Sequence, residues 1–329
     1  MSVQRNVGVE PARHAGTNAL FTPVTACWVC GGGELTPYHT LRFELDAYRS
    51  DGQDPELASY SGQSLELVKC AHCGFGQPAA LPTLPRYFDR MYDQRWNAAW
   101  VAQEFDADYK DFIFHSILRE LRRRLGGPGR LLDVGAHAGR FLHLAQQAGW
   151  DVEGIELNPR TAAHAAARTG APVHQMNAHA LADTRRRYDA VVLTDVLEHI
   201  PQPVDLLTAL ATLTVPGGLV AVKVPCGPSQ ALKEQVLAAV SAHRATLADN
   251  LVHVNHFSPR SLAIALERAG FHPSIRTAAP ELRPLHPLSL RALASNAVRL
   301  ATYTVARLPG AVHTPAALHL QAYGQRDRE

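Results

Sequence analysis

The sequence predicts a doubly wound α/β fold: a seven-stranded, mostly parallel sheet with helices on both faces, a small cysteine-bearing subdomain in front and helical insertions towards the end. Three observations carry this. From residue 130 onward, short apolar runs alternate with segments of helical periodicity. The run YDAVVLT at residues 188–194 is continuously apolar, as strands covered on both faces of a parallel sheet are. The first run of the series, RLLDV at 130–134, opens into a turn bounded by Gly135 and Gly139 that leads into a helix.

Taken in order, residues 1–22 mix Gly, Asn, Arg and Pro without periodicity and read as a flexible leader. Residues 23–80 carry two C-x-x-C pairs with short β-like runs between them, such as 65–69, and form the subdomain. Residues 81–129 are a connector and leading helix. The connector, LPTLPRYFDRMYDQRW, is rich in proline and aromatics; Tyr87, Tyr92 and Trp96 are expected to pack rather than recognise a ligand. Apolar residues then recur at helical spacing over 109–125 until Gly126-Gly127-Pro128-Gly129 stops the helix.

The core domain spans 130–329. Its strands fall at 130–134, 152–156, 172–176, 188–194, 219–224, near Ile275 and at 318–323, and its helices at 139–150, 159–168, 204–213 and 259–269. Pro216-Gly217-Gly218 reads as the turn before the fifth strand. Helices are inserted near 230–251 and 288–308. The latter, with Arg291, Arg299 and Arg307, reads as an amphipathic cap in preference to a membrane-surface helix, because aromatic anchors are few.

Composition excludes several classes. The 329 residues hold 32 basic and 30 acidic side chains, a net charge of +2, so no global field draws the chain to nucleic acid, and no nucleic-acid partner is expected. No stretch reaches the length of a membrane span, so no membrane is expected either. Residues 1–21 lack the apolar core of a signal peptide and the cysteine count is odd at five, which points to the cytoplasm. Runs such as Arg122-Arg123-Arg124 and Arg185-Arg186-Arg187 read as solvated surface.

In an open parallel sheet the ligand sits at the carboxyl ends of the strands, and the first strand-to-helix turn, here Asp133 to Gly139, matters most. Its spacing is G-x-x-x-G, and the dinucleotide fingerprint G-x-G-x-x-G is absent, which disfavours a nicotinamide enzyme. Glu156 ends the second strand, where a carboxylate can accept both hydroxyls of a ribose.

These segments together resemble the class I S-adenosylmethionine-dependent methyltransferases. LLDVGAHAGRFL is similar to that family's first motif, GIELN to its acidic second motif, VHQMNAHAL to its third-strand region, and YDAVVLTDVLEHIPQP followed by PGGLVAVKVP to its fourth and fifth strands. HFSPRSLAIALERAGF resembles the helix and turn before the sixth strand, so the likeness covers about residues 131–271. It implies S-adenosyl-L-methionine as cofactor, with Asp133, Gly135, His137 and Gly139 shaping the pocket for its amino acid end, Glu156 on the ribose, Asn177 and Ala178 beside adenine, and Thr194 and Asp195 beside the methionine portion. His137 stands where many members have glycine.

For a hydroxyl acceptor a proton must be removed, and a histidine near neutral pKa suits that role. The candidates are Asp195, Glu198 and His199 in DVLEH, with His253 and His256 in HVNHFSP; His199 or His256 is the expected base, with Glu198 beside it. DVLEH also resembles the E-x-x-E-H cluster of metal-binding methyltransferases, among them ubiquinone-pathway O-methyltransferases and RNA-end 2′-O-methyltransferases. That likeness implies a second divalent metal at Asp195, Glu198, His199 and His256 as the less favoured alternative to a metal-free base.

The two knuckles, Cys27/Cys30 and Cys70/Cys73, supply four thiolates for a structural zinc ion across an intervening 39 residues, and Cys226 stands alone. A zinc module followed by a methyltransferase core resembles bacterial enzymes acting on sugar nucleotides or natural-product intermediates. The expected function is methylation of a small-molecule acceptor, an oxygen on a sugar or secondary metabolite, with no oligomeric state assigned. The alternatives are a C-methyltransferase on a nucleotide-linked deoxysugar, a metal-dependent RNA 2′-O-methyltransferase and a non-catalytic zinc-containing binding protein.

Overall fold

The computed structural model describes residues 20–45, 54–95, 98–240, 249–284 and 289–328. Most of the expected leader, Trp96, part of the insertion near 230–251 and the start of the 288–308 helix lie outside the described residues.

The end of the expected leader is held in a strand. β1 (Phe21–Pro23) pairs antiparallel with β5 (Ala80–Pro82), and Phe21 packs its ring on Phe43 and Tyr60. Between them β2 (Leu35–Arg42), the short α1 (Pro55–Ala58), β3 (Ser64–Cys70) and β4 (Gly76–Pro78) follow, and β2, β3 and β4 form a three-stranded antiparallel sheet. The first cysteine knuckle precedes β2 and the second joins β3 to β4. The connector is helical: α2 (Tyr87–Arg95) and α3 (Ala98–Asp106) lead to α4 (Asp111–Leu125), which Gly126 ends in the left-handed conformation. Tyr87 is buried against Phe43 and Tyr60, as the packing expectation requires.

The core then alternates: β6 (Arg130–Val134), α5 (Arg140–Gln147), β7 (Asp151–Ile155), α6 (Pro159–Thr169), β8 (Val173–His174), α7 (Ala178–Ala182), β9 (Tyr188–Thr194), α8 (Pro203–Leu213) and β10 (Thr214–Pro225). α9 (Gly227–Val240), α10 (Pro259–Arg268), β11 (Phe271–Thr277), α11 (Leu290–Ala306) and β12 (His319–Arg326) complete the chain. The seven strands run in the order β11-β12-β10-β9-β6-β7-β8, with β12 alone antiparallel to its neighbours, so the expected doubly wound, mostly parallel sheet is present. Strand order reverses between β6 and β9, which opens a crevice at their carboxyl ends.

Local sequence explains the boundaries. Asn158 caps α6 by accepting from Arg160 N and Thr161 N, with Pro159 in the first turn, and Ser258 and Ser261 form a reciprocal capping box on α10. One expected turn is absent. Pro216-Gly217-Gly218 lies inside β10, where the register to β9 shifts between Thr214 and Leu219; Gly217, at φ 77°, absorbs the bulge while its N–H donates to Asp327 O.

The cysteine subdomain does not sit apart from this core. Cys27, Val29, Cys70, Cys73 and Phe75 share one apolar cluster with Phe257, Leu262 and Leu266, and Gly76 and His256 exchange backbone hydrogen bonds of 2.9 and 3.0 Å. Leu251 and Val254 likewise fill a second cluster with Phe43, Leu67 and Tyr87.

Candidate active site

A cavity of about 1130 Å³ occupies the crevice at the carboxyl ends of β6, β7 and β9. Its floor is the β6–α5 turn. Gly135, at φ 76°, lies against Val196, and an added Cβ would stand 2.5 Å from Val196 Cγ2. Gly139, at φ 88°, forms the N-cap of α5, where a Cβ would press on Thr169 and Ala165 at 3.0 to 3.2 Å. Both positions therefore require glycine.

Glu156 follows β7 directly. Its Oε2 accepts from His137 N and its Oε1 from Asn158 N, each at 3.0 Å, so the buried carboxylate is held across the turn with further lone pairs left for a ligand. Burial pushes its acid above the ordinary range, and these backbone donors work against that shift. Asp133, buried at the end of β6, is pushed up to about 8, first by burial and then by the charge of Glu156. Burial also draws His137 down to about 4, which keeps that imidazole neutral at pH 7.

The remaining expected cofactor contacts surround the same cavity. Asn177 and Ala178 line it at the start of α7, which Asn177 caps by accepting from Ala180 N at 2.9 Å. Thr194 lines it from the end of β9, and its buried Oγ1 has no hydrogen-bond partner among the described residues. Asp195 follows in the left-handed region, φ 57°. Burial alone would raise its acid, but Lys223, which contacts it directly, and Lys110, at 3.5 Å, outweigh this and hold it below the ordinary carboxylate range.

The DVLEH segment forms the opposite wall. Val254 N and Asn255 N both donate to Glu198 O, and Asn255 Nδ2 donates to Leu197 O and Ile200 O at 2.7 and 2.6 Å. This stitch brings His253 against His199, with ring centroids 4.9 Å apart. Ligand atoms of Glu198, His199 and His253 all lie within 4.8 Å of one another. His199 Nδ1 lies 2.5 Å from Val252 O; a carbonyl only accepts, so Nδ1 carries a hydrogen and any exchange of a proton with a ligand falls to Nε2. Glu198 is pushed up to about 8 by burial and then by Asp195, and its buried Oε2 has no hydrogen-bond partner among the described residues. Burial draws His253 down to about 3.

His256 departs from expectation, as does the metal set built on it. Its backbone is bridged to Gly76, its Cβ is wedged 2.9 Å from the site of a Gly76 Cβ and 2.8 Å from that of Gly227, and its Nε2 lies 3.2 Å from His253 O. This fixes the ring against Tyr38, away from the cavity wall that His199 and His253 line. Asp195, committed to two lysines, is not part of the cluster either. The structure thus replaces the expected group of Asp195, Glu198, His199 and His256 by Glu198, His199 and His253. Lys110, Lys223 and Tyr109, whose hydroxyl donates to Glu104 at 2.6 Å, were not anticipated. Lys223 had a visible signal, a single charge inside the apolar strand LVAVKVP.

The four cysteines of the knuckles converge as expected. Cys27 and Cys73 Sγ are 3.5 Å apart, as are Cys30 and Cys70 Sγ, and all four sulfurs lie within 4.8 Å of one another. A tetrahedral zinc with Zn–S bonds of about 2.3 Å has S···S edges of about 3.8 Å, so the quartet fits such an ion. Hydrogen bonding from Cys73 draws the Cys27 thiol down while the same contact pushes Cys73 up, so the two share a proton that would go to solvent when a metal took both sulfurs as thiolates.

Comparison with known proteins places this arrangement. Ubiquinone biosynthesis O-methyltransferase from Cereibacter sphaeroides is 34% identical over 119 residues, which are 33% of this chain and 48% of that protein. The enzyme of the same name from Bordetella avium is 29% identical over 167 residues, 48% of this chain and 67% of that protein. The chain spans about half the length of the first of these relatives. The crystal structure of a SAM dependent methyltransferase from Archaeoglobus fulgidus is 15% identical, with a TM-score of 0.47 and coverage of 70% of this chain and 100% of that one. A family model described as a methyltransferase domain matches residues 105–273, which are 169 of the 329 residues and contain the whole β6–β10 crevice: this chain belongs to the methyltransferase domain family.

Proposed function

We propose that the protein transfers a methyl group from S-adenosylmethionine to a small-molecule acceptor, at an oxygen of a sugar or secondary metabolite. The observation that carries this is Glu156, a buried carboxylate held by His137 N and Asn158 N across a two-glycine turn, with unused acceptor capacity at the mouth of the crevice. Glu156 would take the ribose hydroxyls, the Asp133–Gly139 turn the amino acid end, Asn177 and Ala178 the adenine, and Thr194 Oγ1 and Asp195 the methionine side. The donor set fits: two buried acids, an unpartnered hydroxyl and a neutral His137 suit a ligand that carries hydroxyls and positive charge.

When bound, the cofactor supplies a methyl group activated by its sulfonium. The chain's own part is to orient the acceptor and take its proton. His199, whose Nδ1 hydrogen is committed to Val252 O, would act as base through Nε2, with Glu198 behind it. The names of the curated relatives favour oxygen as the accepting atom. The cysteine quartet would hold a structural zinc ion that ties the two knuckles to α10.

A second reading is favoured by the unpartnered Oε2 of Glu198 beside the rings of His199 and His253, the latter kept neutral by burial. Glu198, His199 and His253 would then hold a divalent cation that polarises the acceptor oxygen. Calorimetric titration with S-adenosylhomocysteine and with NAD tests the main reading, with binding expected for the former only. Mass spectrometry over a panel of sugar nucleotides and hydroxylated metabolites, scored for the gain of one methyl group, identifies the acceptor. Activity of metal-stripped protein with and without added magnesium or zinc separates the two versions of the proton step.

A further inference from the structure

A helix that caps a soluble fold turns its apolar stripe inward and its polar face to water. α11 does the reverse. Its inward side consists of Ala292, Asn296 and Ala306, which are buried, with Arg299 and Tyr303 half-buried beside them. Asn296 is anchored to both the N–H and the carbonyl of Arg283, Arg299 donates to Glu281 O, and Tyr303 packs edge-on to Phe112. Polar side chains therefore hold the helix to the protein, and apolar ones face outward. Leu290 is 86% exposed, Val298 66%, Val305 54% and Leu308, just past the helix end, 61%. Leu293 and Leu300 are exposed as well.

At about 100° per residue, Leu300, Leu293, Thr304, Ala297, Leu290, Ala301, Ala294, Val305 and Val298 follow one another around an outward arc of about 160°. Arg291 and Arg307 fall just beyond its two edges, about 20° outside Val298 and Leu300 respectively. From residue 282 to 326 the chain carries five arginines, at 283, 291, 299, 307 and 326, and no Asp or Glu.

We infer that α11 lies along an anionic lipid surface, with its outward leucines and valines in the headgroup boundary and Arg291 and Arg307 reaching lipid phosphates on either side. An exposed apolar arc flanked by cations is the arrangement that interfacial helices use, and the arginine stems cover apolar surface while their heads stay in the polar layer. Charge decides against a second copy of the chain as the occupant. A two-fold contact through this face would set the arginines of one α11 beside those of the other, with no acid in the segment to offset them. The few aromatics that favour a cap when the sequence is read alone carry less weight once the apolar side faces out. This surface contact differs from insertion: among the described residues no helix is long and apolar enough to cross a membrane.

The test is vesicle flotation with the full chain. Wild type is expected to float with vesicles of phosphatidylcholine containing one-third phosphatidylglycerol, to stay below with phosphatidylcholine alone, and to be released by high salt. Each arginine at an anionic surface contributes about fivefold in partitioning, so R291Q/R307Q should weaken binding about 25-fold. L290S/V298S/V305S, which alters only exposed positions, should abolish flotation while S-adenosylhomocysteine binding stays at the wild-type level, so that failure here is distinct from failure of the methyltransferase reading. Absence of wild-type flotation with anionic vesicles, or unchanged flotation of the triple variant, overturns the inference. So does a dimer in sedimentation velocity that the triple variant dissociates, since a second copy would then occupy the face.

Discussion

Replacing Glu156 by Gln tests the cofactor site at its most specific point. The variant keeps shape and volume and removes the charge. In the wild type both carboxylate oxygens accept a backbone N–H, from His137 and from Asn158, each at 3.0 Å. An amide has one oxygen, so one of those N–H groups must face an NH₂, and only the remaining oxygen can still serve the ribose. Hydrogen bonds to a charged acceptor are worth about 1.5–3 kcal/mol each. Losing one of two, with the other weakened to a neutral bond, predicts a loss of about 2–3 kcal/mol in binding, or about 30- to 150-fold. The fold should be nearly indifferent. Removing a buried charge relieves the desolvation that pushes Glu156 up, while one backbone N–H loses its acceptor, so unfolding free energy should change by no more than about 1 kcal/mol. Titration calorimetry with S-adenosylhomocysteine on both proteins gives the affinity ratio, and a thermal melt checks the fold. An affinity within about threefold of wild type in a folded variant would refute the assignment of Glu156 to the ribose.

Four further outcomes are expected. C27S should remove one equivalent of bound zinc by elemental analysis and cost on the order of several kcal/mol of stability, because three thiolates close the site poorly. H199A should lower kcat by about 100-fold or more with little change in S-adenosylhomocysteine affinity, whereas H256A should retain kcat and lose stability instead, since its ring packs on Tyr38; equal loss of kcat in both would put His256 back in the site. Asp133 binds its proton more tightly in the folded state, so its contribution to stability is full below its unfolded pKa of about 4 and is lost as pH rises to about 8. Thermal melts should therefore show wild type weakening relative to D133N from about pH 4 to about pH 8 and no further above that, and a constant difference would count against the shift. G135A should reduce cofactor affinity sharply, because its Cβ meets Val196 in a left-handed backbone; unchanged affinity would mean that the turn does not approach the ligand.

Much of the core was legible because parallel strands announce themselves as unbroken apolar runs, and a strand-end acid or a glycine turn has few places to go once the strand is known. Asp133, Gly135, Gly139 and Glu156 all fall in that category. What the sequence hid depends on pairs far apart in the chain. The choice between His253 and His256, three residues apart, turns on backbone bonds from Gly76 and a close approach by Gly227. Asp195 looked available as a ligand until Lys223 and Lys110 were placed beside it by β10 and the start of α4. A bulge and a turn share the same residues, so Pro216-Gly217-Gly218 could be resolved only by the register of β10 on β9. The outward apolar face of α11 was invisible for a simpler reason: periodicity reports that a helix has two sides and does not say which one meets the protein.

The shared core of the cysteine knuckles and α10 also has a consequence in time. Val29 O receives its hydrogen bond from Arg268, 239 residues later, and Cys27 and Cys73 share one apolar cluster with Phe257 and Leu262. At a synthesis rate of about 5–20 residues per second, the first knuckle waits roughly 10 to 50 s after it is made before its packing partner exists. During that interval its thiols and apolar neighbours stand uncovered, open to oxidation and to wrong contacts. Capture of a metal ion by the two knuckles soon after synthesis would shorten this vulnerable period.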